Sequence, residues 1–271
     1  MKWIPQLTID ECTTAPPSSI PTLVLGHSLG SGATMWDEVV PLLTPWARVI
    51  RYDLPGHGGS APADCNETLT AELFFQRLKI ALGEAGVGEF HIAGLSIGGL
   101  LAISAPGFFG QYIRSVAIMN SGPRVGTSEM WQERQEDVAA NGVKHLVAPV
   151  MERWFSPEFA QGYGAEAVAR IAQTYNACDP SGYNQACQIL ATTDSYGQVA
   201  TIACPVLVVS GENDAGCDWQ AGTALADLLG SGQCPHVQHL PIARVRHMSA
   251  METPHLIAGA LIDLVKRGER L

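Results

Sequence analysis

The sequence predicts an α/β protein with a mostly parallel central sheet flanked by helices. Three observations carry that prediction. Short apolar runs rich in β-branched residues alternate with helix-like stretches. Most of the runs end in a turn bearing Gly, Asp, Asn or Ser, and open α/β sheets gather their sites beyond such strand ends. The chain has 271 residues, 46% hydrophobic and 15% charged, which is enough apolar material for a sizeable core.

The clearest strands lie at 22–25, 48–52, 90–93, 115–119, 205–209 and 236–240, and the clearest helices at 67–82, 98–105, 220–229 and 254–267. The last helix has Pro254 in its favoured first-turn position. Lys266 and Arg267 close it at the negative end of its dipole. Pro106 and Gly107 predict an early stop for the helix that begins at Gly98. From about Pro123 to Gln198 the rhythm changes: no strong strand occurs, and Trp, Tyr, Met and Gln crowd in. That stretch reads as a helical cap, 123–198, inserted into a core made of 1–122 and 199–271.

Composition excludes several function classes. Sixteen basic residues stand against 26 acidic ones, a net charge of −10, with no cluster of Lys or Arg. A phosphate backbone would find little to bind, so nucleic acid is not an expected partner. The most apolar stretch, 98–109, is too short to span a membrane and contains Pro106. Asp10 and Glu11 arrive before any sustained apolar segment, so no signal peptide is expected and the cytoplasm is the expected location. The seven cysteines (12, 65, 178, 187, 204, 217 and 234) form no CxxC pair and no zinc-like spacing, and they read as mostly buried, reduced thiols. No metal cluster, phosphate loop or haem motif is visible, so no cofactor is expected. A homo-oligomer is left open.

One motif carries chemistry. The strand at 90–93 runs into Gly94-Leu95-Ser96-Ile97-Gly98-Gly99 and then a helix, the G-x-S-x-G nucleophile elbow. A serine on so sharp a turn needs neighbours without side chains two positions away on either side. Gly94 and Gly98 meet that need, and the helix that follows aims its N-terminal amides at charge developing near Ser96. A serine also needs a base. Of eight histidines, His247 lies between the last strand and the last helix, which fits the chain order Ser, acid, His. The acid should follow the penultimate strand, where Ser210-Gly211-Glu212-Asn213-Asp214 offers Asp214, with Asp218 as runner-up. Asn120, after the strand at 115–119, cannot supply the charge. An oxyanion needs two backbone donors. Ile97 supplies one, and the turn Gly26-His27-Ser28-Leu29-Gly30 supplies the other, through Leu29 or, failing that, Ser28. His27 and His57 read as structural residues of Gly-rich turns.

These residues identify the chain as a resemblance to the α/β-hydrolases. His27-Ser28-Leu29-Gly30, Arg51-Tyr52-Asp53 with Gly56-His57-Gly58, the elbow, Arg124-Val125-Gly126-Thr127, Arg153-Trp154-Phe155 and Gly182-Tyr183 together resemble the 3-oxoadipate enol-lactonases of aromatic-compound breakdown. The resemblance runs from about Pro21 to Leu264, insertion included. It implies hydrolysis of a small, carboxylate-bearing enol-lactone through attack by Ser96, an acyl-enzyme, and release by water activated at His247. An anionic substrate needs a counter-charge, for which Arg124 is the candidate, and Trp131 and Trp154 are candidates to wall the lactone. The chain departs from the family at Cys12 and Pro16-Pro17, which do not read as the usual first hairpin. It also lacks a proline shortly after the acid, and Pro106-Gly107 interrupts a helix that generally runs longer. The other readings are a carboxylesterase, perhydrolase or carbon–carbon bond hydrolase using the same three residues, and a ligand-binding protein on a hydrolase scaffold.

Overall fold

The computed structural model describes residues 3–12, 20–64 and 67–270. Seven strands form one sheet in the order β1-β3-β2-β4-β5-β6-β7. They are β1 (Leu7–Asp10), β2 (Thr22–Gly26), β3 (Arg48–Tyr52), β4 (Phe90–Leu95), β5 (Ile113–Met119), β6 (Val206–Gly211) and β7 (Val237–Ile242). Every pairing is parallel except β1 with β3, which is antiparallel with Leu7 opposite Tyr52. All six residues of β4 are buried, as are all six of β6. Continuous apolar runs of this kind are what a parallel sheet covered on both faces requires.

Six strands fall where the apolar runs predict them, and β1 is the addition. It has four residues and no turn signal ahead of it. Its place at the sheet edge is held from β3, where Arg51 donates from Nε and Nη2 to the two Asp10 oxygens at 2.9 and 3.2 Å. The family departure at Pro16-Pro17 lies outside the described residues, as does Cys65. Of the described cysteines, 178, 187 and 217 are buried and 12, 204 and 234 half-buried.

The helices that cover the sheet are α1 (Ala71–Glu84), α2 (Ile97–Phe109), α7 (Trp219–Gly230) and α8 (Pro254–Gly268), the numbers between them belonging to helices that lie between β5 and β6 in the chain. Helix α1 starts four residues later than predicted because Thr70 caps it, its Oγ1 accepting the Leu73 amide at 3.2 Å. Helix α2 corrects the expected early stop. It continues through Pro106 to Phe109, where Gly110 closes it at φ 58° by donating to the Pro106 carbonyl. Nine of its thirteen residues are buried, with Leu100, Leu101 and Ile103 fully so. A helical proline costs about 3 kcal/mol, whereas each large apolar side chain fully buried returns about 1.5–3 kcal/mol. Packing therefore outweighs propensity.

Between β5 and β6 the described chain has no strand. Its longer helices are α3 (Ser128–Asn141), α4 (Val147–Trp154), α5 (Ala165–Asn176) and α6 (Pro180–Thr192). They are fastened to the turn after β3. The Asp179 amide donates to the Gly56 carbonyl at 2.9 Å, and Gln185 exchanges two hydrogen bonds of 2.9 Å with the backbone of Ala63. Gly56 and Gly182 touch backbone to backbone, so a Cβ on either would overlap the other.

Candidate active site

Ser96 sits between β4 and α2 at φ 60° and ψ −117°, a conformation costing on the order of 1–3 kcal/mol for a residue with a side chain. The glycines around it are a steric necessity. A Cβ on Gly94 would strike the carbonyl of Gly98, and one on Gly98 would strike the carbonyl of Gly26. The strained turn is fixed by the Ser96 amide donating to Met119 O at 2.9 Å and by Ser121 Oγ donating to the Ser96 carbonyl at 2.7 Å.

The loop after β6 carries three acids, and each has its own partner. Glu212 accepts the amide of Arg244 at 2.7 Å, in a turn where Arg244 has φ 61°. Asp218 caps α7 by accepting the Ala221 amide at 2.9 Å, which occupies the runner-up. Asp214 accepts His247 Nδ1 at 2.9 Å. Because an ionised carboxylate only accepts, the imidazole proton lies on Nδ1. Nε2 enters no hydrogen bond among the described residues, and in the neutral ring it is the acceptor.

Asp214 is 5% exposed. Burial pushes its carboxyl up, but the His247 imidazole, the Gly216 amide and the Asn120 side chain together pull it down to about 2. Asn120 is a residue the sequence undervalued. It stands at φ 48° immediately after β5, donates from Nδ2 to Asp214 Oδ2 at 2.9 Å and to the Arg246 carbonyl at 3.3 Å, and accepts from Ser249 Oγ at its Oδ1. Its one sequence signal is an asparagine just past a strand, a residue type that tolerates left-handed backbone.

The loop bearing His247 is stapled to the end of α4. The Met248 amide donates to Trp154 O at 3.1 Å, and Arg246 Nη1 to Phe155 O at 3.3 Å. Beneath it Glu252, 5% exposed, accepts the amides of Arg246 (3.0 Å) and Ser156 (3.2 Å) and the Ser156 hydroxyl. Burial raises the Glu252 pKa. Trp154 lies over the His247 ring at 6.2 Å between centroids and 27° between planes.

Two histidines organise the turn after β2. His27 donates from Nδ1 to Ser28 O (2.8 Å) and accepts the Leu54 amide at Nε2 (2.9 Å). His57 donates from Nδ1 to Pro55 O (2.7 Å) and accepts the Gly30 amide at Nε2 (2.8 Å). Both rings are therefore neutral and fully used. In that turn the Ser28 amide faces Met35 Sδ at 3.4 Å and the Gly30 amide is taken by His57. Among the described residues the amides of Leu29 and Ile97 enter no hydrogen bond.

Ser96 and His247 border two cavities, one of about 650 Å³ and one of about 70 Å³. Arg124 lines the larger, half-exposed and 3.8 Å from Asp194 Oδ2. Trp131 lines both and is held by Nε1 donating to Val125 O at 2.6 Å. Trp154 lines the smaller. Among the described residues no group of three His, Cys, Asp or Glu side chains is placed to hold a metal ion, and no helix is long and apolar enough to cross a membrane.

The sheet order, the strained serine after β4 and the acid and histidine on the loops after β6 and β7 define a class of protein. Residues 23–260 match the alpha/beta hydrolase family, and the chain belongs to it. It is 30% identical to 3-oxoadipate enol-lactonase 1 of Acinetobacter baylyi over 92% of this chain and 90% of that protein. Among solved structures it is similar to the enol-lactonase of Burkholderia xenovorans LB400, with a TM-score of 0.87 and 25% identity, covering 97% of this chain and 96% of that one. A thermophilic esterase from Thermogutta terrifontis shares the fold at a TM-score of 0.86 and 22% identity, over 97% of this chain and 94% of that one.

Proposed function

We propose that this hydrolase opens 3-oxoadipate enol-lactone to 3-oxoadipate, with Ser96 as nucleophile, His247 as base and Asp214 as the acid that orients it. The observation that carries the chemistry is the His247–Asp214 hydrogen bond, with His247 bordering the same two cavities as a serine in strained backbone and Asp214 the larger of them. Support for the substrate comes from the similarity to enol-lactonases along nearly the whole chain, inserted helices included.

Ser96 Oγ attacks the lactone carbonyl as its proton passes to His247 Nε2. The unpaired amides of Leu29 and Ile97 stabilise the oxyanion. The ring C–O bond then breaks, His247 returns the proton to the enol oxygen, and the tethered enol ketonises, which makes ring opening nearly irreversible. Water, deprotonated by His247, attacks the acyl-enzyme and releases the second carboxylate. Residues 123–198 act as a cap over this chemistry. Trp131 and Trp154 wall the lactone, and Arg124 offers positive charge on the larger cavity. The test is hydrolysis of freshly generated enol-lactone followed by ultraviolet absorbance, with Ser96→Ala as control. Turnover by the wild type alone is the expected result.

A second reading has one observation in its favour. The larger cavity, at about 650 Å³ with Met130, Leu225 and Leu228 in its wall, has room for an apolar group that a small lactone lacks. If the lactone is ignored while a p-nitrophenyl ester is cleaved through Ser96, the protein is a carboxylesterase.

A further inference from the structure

Helix α7 carries two apolar stripes. Gly222, Leu225 and Leu229, at i, i+3 and i+7, are buried, and a Cβ on Gly222 would strike Ser210 of β6 and His239 of β7. Ala221, Ala224 and Leu228 repeat that spacing on a neighbouring face and are exposed. This second stripe lines the larger cavity, which Ser96 and His247 also border. Two more exposed apolar side chains, Met130 of α3 and Tyr196, line the same cavity. Besides His247, its ionisable groups include Arg124, Arg153 and Asp214, and no charged residue of α7 lines it.

Single exposed apolar side chains are ordinary on a protein surface, whereas several gathered on one cavity mark a binding surface. Because this cavity reaches Ser96, its occupant is part of the molecule that the serine attacks. From Ala221 to Leu228 the stripe runs about 10 Å at 1.5 Å per residue, the span of a medium-length alkyl chain. Ala221 and Ala224 are short enough to leave a track along the helix, and the cavity, at about 650 Å³, has the room.

We propose that this face of α7 is an alkyl subsite, and that the protein also hydrolyses esters and lactones whose acyl part carries a medium-length alkyl chain. The assignment rests on Ser96 as nucleophile and adds a substrate class to the enol-lactone. The acyl carbonyl sits at Ser96 while the chain lies along Ala221, Ala224 and Leu228, with Met130 and Tyr196 as its other apolar neighbours. Ser96 Oγ bonds to the acyl carbon, the ester C–O bond breaks, and the alcohol leaves with the proton that His247 took from the serine. Water then releases the alkyl acid and restores Ser96. Each methylene moved from water onto the stripe strengthens binding, by up to about fourfold when fully buried.

The probe is the series of straight-chain alkylboronic acids from methyl to hexyl. They mimic the tetrahedral intermediate when a serine Oγ adds to boron and its proton passes to the histidine. By isothermal titration calorimetry on the full chain, Kd should fall about two- to fourfold per methylene. Ala224→Glu and Leu228→Gln, both at exposed positions, should flatten that dependence. Leu256→Gln, at an exposed leucine of α8 outside the cavity, should keep it. With substrates, kcat/KM should rise from p-nitrophenyl acetate to the hexanoate in the wild type, and the rise should shrink in both variants. A Kd that ignores chain length, or a dependence that survives both substitutions, overturns the subsite. If no boronic acid binds, Ser96 is not the nucleophile and the subsite falls with it. If the enol-lactone is no substrate but the dependence appears and needs Ala224 and Leu228, the enol-lactonase reading falls while the subsite stands. If the lactone turns over and chain length has no effect, the subsite falls alone.

Discussion

At Asp214 the two carboxylate oxygens have separate duties. Oδ2 accepts from both His247 and Asn120, while Oδ1 accepts the Gly216 amide. An amide at this position fails in either orientation: its NH2 meets His247 and Asn120 one way round, and the Gly216 N–H the other. Asp214→Asn should therefore force His247 into the wrong tautomer and lower kcat by roughly 10⁴-fold, with little change in KM. Steady-state kinetics on a p-nitrophenyl ester would check this, and a loss under tenfold would remove Asp214 from its role. Ser96→Ala should lower kcat by about 10⁴- to 10⁶-fold while the chain stays folded by circular dichroism. Activity near the wild-type level would sink the nucleophile assignment. Around these residues the sequence was informative about Ser96, Asp214 and His247, because each stands at a strand end in a recognisable order. It was silent on Asn120 and Glu252, whose importance comes from partners more than ninety residues away.

Elements are joined here by contacts that local propensity does not encode. Pro106 within α2 shows one kind, in which burial of a helix overrides its weakest residue. The meeting of Gly56 and Gly182 shows another. It brings the helices between β5 and β6 onto the turn that holds His57, which in turn accepts the Gly30 amide beside Leu29. Gly182→Ala should drive a methyl group into the Gly56 backbone and destabilise the protein by about 1–3 kcal/mol, the usual scale of overpacking. Urea denaturation would measure the loss. Proteolysis should cut earlier within 177–185 than in the wild type, since α6 would lose its seat. Unchanged stability would mean that the two backbones do not meet this closely. At the other end, the stapling of the His247 loop to α4 ties the position of His247 to the same group of helices.

For the molecule as a whole, the buried histidines set a pH dependence of stability. Burial lowers His27 from 6.5 to about 4 and, with the neighbouring His27 adding to it, lowers His57 to about 3. Below pH 6.5 the unfolded chain takes up protons at these positions that the folded one refuses, so stability is full above 6.5 and falls as pH drops. Each histidine contributes a slope of about 1.4 kcal/mol per pH unit across that window. Asp214, lowered from 3.8 to about 2, adds stability present above 3.8 and lost as pH falls through 2. Denaturant midpoints measured from pH 7 to pH 4 should therefore decline steeply. His57→Gln should flatten the slope whatever it does to the absolute stability. An equal slope in that variant would show that His57 is not the sensor.

Much was determined by the sequence alone. Six strands and the helices over the sheet follow from the period and composition of each segment, and the elbow follows from glycines that only a sharp turn needs. These are properties of short stretches, and a short stretch carries its own hydrophobic pattern wherever it folds. The tertiary structure decided the rest: an edge strand of four residues held by Arg51, a helix running through proline, and an asparagine bracing a carboxylate. Each depends on side chains distant in sequence meeting at a few ångströms. The energies that settle them, burial, pairing and desolvation, do not exist until the chain has closed around them.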